Sequence, residues 1–112
     1  GRIVFVERSF FGVHRVGERE KGRFRDLYHG STTHGIQDRA NPRRPLTYYH
    51  PTGPAGQAFL NRRVEAGKRV GLIGLGVGSL AAYGRPGDRF TVFEIDPAVI
   101  DIARDRGLFT FL

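Results

Sequence analysis

Three glycines at alternate positions, Gly74, Gly76 and Gly78, have the spacing in this sequence that most strongly indicates chemistry. They follow the apolar run 69–73 and precede residues 79–83, which are typical of a helix start. Glycine adopts positive φ easily and leaves no Cβ between the backbone and a ligand. The helix N-terminus that follows would offer unpaired N–H groups to an anion or a polar ligand. The spacing therefore predicts a turn that binds a nucleotide or a nucleoside.

A carboxylate is predicted beside this turn. Glu94 stands 20 residues after Gly74, at the end of a second apolar run over 89–94. Adjacent parallel strands bring such an acid to the edge of the sheet where the glycine turn lies, and there it can accept both ribose hydroxyls. The alternative is that the glycines only permit close packing of helix on strand and that Glu94 is a solvated strand end.

Two ligand classes share this arrangement. A dinucleotide turn has the pattern G-x-G-x-x-G/A, which Gly76, Gly78 and Ala81 match in a shifted frame. In the frame that starts at Gly74, Ser79 takes the third position and the match is poorer. A G-x-G-x-G turn with an acid at the end of the second strand is typical of sites for S-adenosylmethionine-type nucleosides. Residues 94–97 favour this second class, and an NAD-binding module stays as the alternative.

Other polar residues are weaker candidates. His29 and His34 lie five positions apart in a glycine-rich segment without accompanying acids, so we expect ordinary loop hydrogen bonds and no metal site. Tyr48 and the residues next to it either line an acceptor pocket or pack within a loop. Ser79 is expected to cap a helix, because no nucleophile-elbow pattern surrounds it.

The first half of the chain predicts a small antiparallel meander. Residues 2–6, 9–16 and 23–28 are rich in β-branched and aromatic side chains and are interpreted as short strands. A charged break separates the first two, and turns are expected over 17–22 and 29–35. The core of the meander is expected to contain Phe10, Phe11 and Phe24.

Four prolines over 38–54 predict a loop. A helix is predicted to begin near Pro54, because proline suits the first helical turn, and to stop at Gly67. Val64 is one of its expected apolar residues. The first unit is therefore placed at residues 1–53, as a β-meander with its loop.

Residues 54–112 are predicted as a second unit. Strands are expected over 69–74 and 89–94, each followed by a helix, and Asp96 and Pro97 are expected as the N-cap and first residue of the second helix. This order is typical of a parallel α/β sheet. The predicted fold class is α/β, with the meander followed by the first βαβα part of a Rossmann-like S-adenosylmethionine-dependent methyltransferase fold, truncated at the apolar end of the sequence.

Composition limits the remaining classes. The sequence has no Cys, which excludes disulfides, thiolate zinc sites and cysteine nucleophiles. No window approaches the ~20 apolar residues of a membrane helix, and a cytoplasmic location is expected. The net charge of +7 divides into +8 for residues 1–69 and −1 for 70–112. A non-enzymatic basic module for nucleic acid or anionic membrane is therefore a further alternative, although the scattered arginines do not favour nucleic acid.

Three segments of the sequence carry a resemblance to a known family: residues 27–37, 70–78 and 93–97. They resemble the spermidine synthase family, and the likeness extends over roughly residues 3–105. The likeness is greatest to spermidine synthase-like domains fused to membrane segments. It implies a transferase that moves an aminopropyl or methyl group from decarboxylated S-adenosylmethionine, or S-adenosylmethionine itself, to an acceptor such as a polyamine. A homodimer and a membrane segment elsewhere in the parent chain are left open by the sequence.

By the same resemblance, five residues hold the nucleoside: Gln37, Gly74, Gly76, Gly78 and Glu94. Tyr48 would face the acceptor, and the family's catalytic Asp, which helps deprotonate the attacking amine, is expected beyond residue 112. The 112 residues alone are expected to be inactive, because two parallel strands cannot close the site, and marginally stable, because residues 69–112 expose a sheet face and edge. The family's polyamine-binding acids are replaced here by Arg44, Pro45 and His50. Because a polycation needs carboxylates to compensate its lost hydration, a neutral or anionic acceptor suits this sequence better.

Overall fold

The computed structural model describes residues 1–60 and 67–112. In these residues the chain has a mixed α/β architecture with a four-stranded antiparallel sheet and a two-stranded parallel sheet. The course of the first predicted helix between Leu60 and Gly67, including Val64, lies outside the described residues. No helix in the described part is long and apolar enough to cross a membrane.

The antiparallel sheet is the predicted meander, in the order β1-β2-β3-β4. Its strands are β1 (Arg2–Ser9), β2 (Gly12–Arg19), β3 (Phe24–His29) and β4 (Thr32–Asp38). The fourth strand was not predicted, because its polar and glycine-rich sequence indicates a turn when taken alone. Pairing with β3 supplies the hydrogen bonds that its weak strand propensity does not.

The break predicted between the first two strands is wrong in position. β1 continues through Glu7, which pairs in register with His14 of β2, and the chain turns at Phe10 and Phe11 instead. These two phenylalanines are 96% and 43% exposed, so their prediction as core is also wrong. A hairpin tip lies beyond the last paired residues and has no sheet face against which to pack. Phe24 is partly buried, with guanidinium groups over its ring.

The second half of the chain follows the predicted order of elements, with a 3-10 turn in place of the helix predicted after the glycine turn. A loop containing a 3-10 turn (Thr47–Tyr49) leads to helix α1 (Pro54–Leu60). The parallel strands are β5 (Arg69–Ile73) and β6 (Arg89–Phe93), and the segment between them includes a 3-10 turn at Ser79–Tyr83.

Helix α2 (Pro97–Ile100) follows β6 and continues into a single π-helical turn at Asp101–Asp105. The predicted N-cap is confirmed, since the Asp96 side chain accepts a hydrogen bond of 2.9 Å from the backbone N–H of Ala98. Pro97 occupies the first helical turn, where a missing N–H costs nothing.

One hydrophobic core joins the meander to the turn after β5 and to the segments that follow α2. Val16 and Leu27 come from the meander, Val77 comes from the turn after β5, and Ile102 comes from the segment after α2. Phe109 and Phe111 complete the core from the end of the described chain. The opposite face of the parallel sheet is open, with Ile73 96% exposed. The core therefore holds the start of the α/β unit against one side of the meander.

Part of the basic charge of the meander is compensated within the sheet. Three arginines donate hydrogen bonds to carboxylates of the sheet. Arg19 donates to Asp26 at 2.9 Å, Arg23 donates to Asp38 at 2.9 Å, and Arg39 donates to Glu18 at 3.2 Å. The hydrogen bonds and charge of the Arg23 guanidinium hold the pKa of the Asp38 carboxyl below its usual range. Three of the meander's arginines are therefore paired with acids of the same sheet.

Candidate functional site

The glycine turn has the conformation that its spacing predicts. Gly74, Gly76 and Gly78 have φ values of +86°, +57° and +87°, all in the left-handed region. An L-residue there costs roughly 1–2 kcal/mol, whereas glycine adopts it freely. The N–H of Gly74 donates to the carbonyl of Phe93 at 2.8 Å, which ties the start of the turn to the end of β6.

Glu94 lies beside this turn, as the spacing predicts. Its Oε1 accepts a 3.0 Å hydrogen bond from the N–H of Leu75, and its Oε2 accepts one of 3.0 Å from the N–H of Asp96. An ionised carboxylate oxygen has about two acceptor positions, so each oxygen retains one. The half-buried side chain can therefore accept two further donors without losing the backbone contacts that orient it.

Strand β4 packs directly on the glycine turn. Gly35 is buried, and a Cβ built on it would lie 2.5 Å from Cγ2 of Val77. A Cβ on Gly76 would lie 3.1 Å from the carbonyl oxygen of His34. Because Gly35 has no side chain, the meander can approach the glycine turn closely. The meander and the turn therefore border the same cleft.

We expect Gly35→Ala to destabilise the protein by about 1–3 kcal/mol, because the added methyl group must displace buried Val77. The measurement is the free energy of unfolding in urea. Gly71→Ala is the matched control, since a Cβ there meets nothing within 4 Å. A double-mutant cycle with Val77→Ala should recover part of the loss. Equal effects of the two glycine substitutions would contradict the close approach.

A cleft of about 230 Å³ lies between the glycine turn and the meander. Gly76 and Glu94 border it on one side, and apolar groups including Phe11, Leu27 and Val99 contribute elsewhere. Three histidines and Asp96 complete the lining: His14, His29 and His34. The cleft thus combines apolar surface with a few converging polar groups, which is typical of small-molecule sites.

The histidine row, as we name His14, His29 and His34, arises from strand register. His14 of β2 is the cross-strand partner of His29 of β3, and their rings stack with centroids 5.0 Å apart. The rings of His29 and His34 are 5.9 Å apart. The expectation that His29 and His34 belong to one loop is wrong in position, because they lie on β3 and β4 and only the residues between the strands turn.

His14 was not singled out from the sequence, although it makes the closest polar contact in the cleft. Its Nε2 lies 2.7 Å from Oδ2 of Asp96, and both residues are buried. Oδ2 of Asp96 also accepts the Ser9 hydroxyl at 2.9 Å. Burial alone would raise the pKa of Asp96, but the hydrogen bonds from His14, Ser9 and the Ala98 N–H outweigh it and lower the pKa. Asp96 is therefore an ionised acceptor at neutral pH.

The imidazole of His34 has a pKa below its usual value. Partial burial lowers the pKa of its imidazole, and the positive charge that His29 and His14 carry when protonated lowers it further. Among residues 1–60 and 67–112, no group of three or more His, Cys, Asp or Glu side chains has an arrangement that could hold a metal ion. The imidazole and carboxylate groups that line the cleft can donate and accept hydrogen bonds and transfer protons.

The predicted binding residue Gln37 lies among a different set of neighbours. Its Nε2 donates to the carbonyl of Pro42 at 2.9 Å and to the hydroxyl of Thr110 at 2.8 Å, while its Oε1 accepts from the N–H of Thr110 at 3.2 Å. Both amide hydrogens are therefore engaged within the protein. One acceptor position on Oε1 is the capacity that remains.

Tyr48, predicted to face an acceptor, is 73% exposed on its 3-10 turn. Its neighbour Tyr49 lines a small cavity of about 50 Å³ together with Gly74 and Gly78 of the glycine turn.

The expected cap role of Ser79 is wrong. Gly78 occupies the cap position, and the buried Oγ of Ser79 has no hydrogen-bond partner. Of the predicted site residues, the structure brings together the glycines and Glu94.

No protein-family model, curated protein or solved structure matches this chain.

Proposed function

We propose that this chain forms the nucleoside-binding part of a spermidine synthase-like transferase. In this proposal β5, the glycine turn, β6 and α2 are the start of a Rossmann-like unit, and the meander covers its nucleoside site. The ligand is decarboxylated S-adenosylmethionine or S-adenosylmethionine, and the group transferred is aminopropyl or methyl. The sequence resemblance and the geometry of the glycine turn both support it.

The observation that carries the proposal is the contact of Glu94 with the glycine turn. A carboxylate held by the N–H groups of Leu75 and Asp96 keeps a fixed position at the end of β6. Its two remaining acceptor positions suit the vicinal hydroxyls of a ribose. The three left-handed glycines present backbone without side chains next to it. These features together fit a nucleoside better than a solvated strand end, which requires neither.

The chain contributes alignment to such a reaction. The bound sulfonium nucleoside would supply an electrophilic carbon, and holding the ribose fixes the direction in which that carbon faces. Gln37 is 1% exposed and bonds to Pro42 and Thr110, so it is assigned no ligand contact in this proposal. Tyr48 is proposed on the acceptor side. Arg44 contacts His50 at 3.0 Å on the same side, so the charge near Tyr48 favours a neutral or anionic acceptor over a polycation.

The test is calorimetric binding of 5′-methylthioadenosine to the wild-type chain and to Glu94→Ala. Loss of charge-assisted hydrogen bonds to ribose is worth about 1.5–3 kcal/mol, so we expect affinity to fall roughly 10–150-fold. Glu94→Gln should give a smaller loss because it retains one acceptor oxygen. Thermal unfolding of each variant identifies any loss that comes from a weakened turn rather than from ligand contacts.

Glu20→Gln is the charge-matched control, because this exposed carboxylate lies on the hairpin turn between β2 and β3. We expect it to leave methylthioadenosine binding unchanged. NAD and duplex DNA are titrated in parallel. A clear preference for NAD would replace the proposal with the dinucleotide alternative. Salt-sensitive DNA binding that Glu94→Ala does not alter, without nucleoside binding, would replace it with a basic binding module.

A further inference from the structure

Strand β1 has an open outer edge. It is an end strand of the antiparallel sheet, and in the described part of the chain β2 is the strand that pairs with it. The other end strand, β4, packs against the glycine turn. Along the edge of β1, Ile3 and Val6 are each 53% exposed. An edge of eight residues with exposed apolar side chains is a template on which another strand can pair.

A bulge in β1 determines which of its residues share a face. The register with β2 shifts between Ile3 and Phe5. As a result Arg2 and Glu7 lie on the same face, each opposite a buried polar residue of β2, and Ile3 and Val6 lie on the other face. In an unbroken strand, positions 2 and 7 would lie on opposite faces, because side chains alternate.

With this bulge, the sequence of β1 is complementary to itself when two copies run antiparallel. If Ile3 of one copy lies opposite Val6 of the other, Arg2 lies opposite Glu7, and a two-fold axis repeats both contacts. The faces match in both pairs. Opposite charges directly across a strand pair stabilise it, and like charges destabilise it. A slip of one residue would place Arg2 opposite Val6 or Arg8 and mismatch the faces.

The charges already present at the two ends of β1 favour this pairing. Burial and the neighbouring Asp101 carboxyl raise the pKa of Glu7, although Arg106 acts in the opposite direction. An additional cation beside Glu7 is therefore stabilising. The side chain of Arg2 is 79% exposed and lies 3.5 Å from Glu18, a carboxylate that two other arginines also contact. Arg2 can therefore turn toward a second copy and leave Glu18 compensated.

We propose that β1 is a dimerisation strand whose partner is β1 of a second copy of this chain. The two strands pair antiparallel, with Arg2 opposite Glu7 and Ile3 opposite Val6, and join two four-stranded sheets into one. Because a single strand pair buries less area than a standard interface, the dimer dissociates on dilution. This inference does not depend on the proposed transferase function.

The first test is sedimentation equilibrium of the 112-residue wild type, Arg2→Glu, Glu7→Lys and an equimolar mixture of these two variants. Each variant alone places like charges opposite each other twice, so we expect its dimer Kd to rise at least about fivefold. In the mixture both charge pairs are again opposite in sign, so the mixed dimer should regain the wild-type Kd. Arg43→Glu, on the exposed loop after β4, is the charge-matched control and should leave the Kd unchanged.

Circular dichroism checks that each variant is folded. If Glu7→Lys unfolds, Glu7→Gln takes its place, since it removes the negative charge without adding a positive one. Its mixture with Arg2→Glu should then dimerise more tightly than Arg2→Glu alone.

The second test fixes the register with disulfides. The chain has no cysteine, so Ile3→Cys and Val6→Cys each introduce one thiol. We expect oxidation of an equimolar mixture to give mainly the mixed disulfide, which mass spectrometry distinguishes from either homodimer. Identical positions lie three residues out of register, about 10 Å apart, which is too far for a disulfide.

Three outcomes would overturn the inference: a wild type that stays monomeric at its highest soluble concentration, a Kd that ignores both charge reversals, or disulfides that form equally well between identical positions. Association that Phe93→Ser abolishes and Arg2→Glu does not alter would assign the contact to the open face of the parallel sheet instead. Binding of methylthioadenosine is measured separately, so failure of the dimer leaves the proposed function intact.

Discussion

Replacing Asp96 with alanine is expected to lower the free energy of unfolding by about 3–5 kcal/mol, because it removes one partner of a buried pair and leaves the other uncompensated. The substitution deprives His14, Ser9 and the N–H of Ala98 of their acceptor at once. The native Asp96 side chain also connects two strands to a helix, because these donors come from β1, β2 and α2. Urea denaturation at pH 7, followed by far-ultraviolet circular dichroism, measures the loss.

Asp105→Ala is the control for this prediction. Asp105 is exposed and contacts the guanidinium of Arg104, so its removal should leave the denaturation midpoint unchanged. The denaturation midpoint of Asp96→Asn should lie between those of Asp96→Ala and Asp105→Ala, because an amide oxygen can still cap α2. Similar midpoints for Asp96→Ala and Asp105→Ala would show that the buried contact does not contribute to stability.

The effect of Asp96 should also depend on pH in a defined direction. Its pKa in the folded chain is lower than the unfolded value of about 3.9, so the folded state binds the proton less tightly than the unfolded state. Its contribution is therefore complete above the unfolded pKa and disappears as pH falls through the folded pKa. The stability difference between wild type and Asp96→Ala should shrink as the pH falls below about 4.

Ile102→Ala is the second substitution with a large expected effect. Ile102 has no exposed surface and belongs to the core that joins the meander to the turn after β5 and the segments after α2. Truncating a buried isoleucine loses transfer free energy and leaves a cavity, for a cost of about 2–5 kcal/mol. Because the core is shared, we expect both sheets to unfold in one transition at a lower urea concentration.

Ile73→Ala is the matched control, with the same atoms removed from a side chain that is 96% exposed. It should change the midpoint little, since those atoms already contact water in the folded state. Hydrogen exchange of β2 and β5 amides checks the shared core. Protection lost in one sheet and kept in the other after Ile102→Ala would show that the sheets are stabilised separately.

Local signals in the sequence located most of the α/β half. The alternating glycines, the apolar runs on either side and the acid at the end of β6 all act within a few residues, and the structure places Glu94 against the turn as the spacing predicts. The pair Asp96-Pro97 indicated a helix start for the same reason, because capping depends on neighbouring backbone groups. The Rossmann-like continuation and the ligand remain predictions.

Long-range pairing decided the rest. β4 forms a strand because it pairs with β3 along its length. The strand register brings His14 close to His29 and His34, which lie 15 and 20 residues later in the sequence. Gln37 looked like a ligand contact, yet its amide is engaged by Thr110, 73 residues away. Short-range spacing thus determined the glycine turn, its acid and the helix cap. The histidine row, the His14–Asp96 pair and the cleft between them exist only once distant strands and α2 pack together, because no local propensity encodes which side chains meet across a sheet.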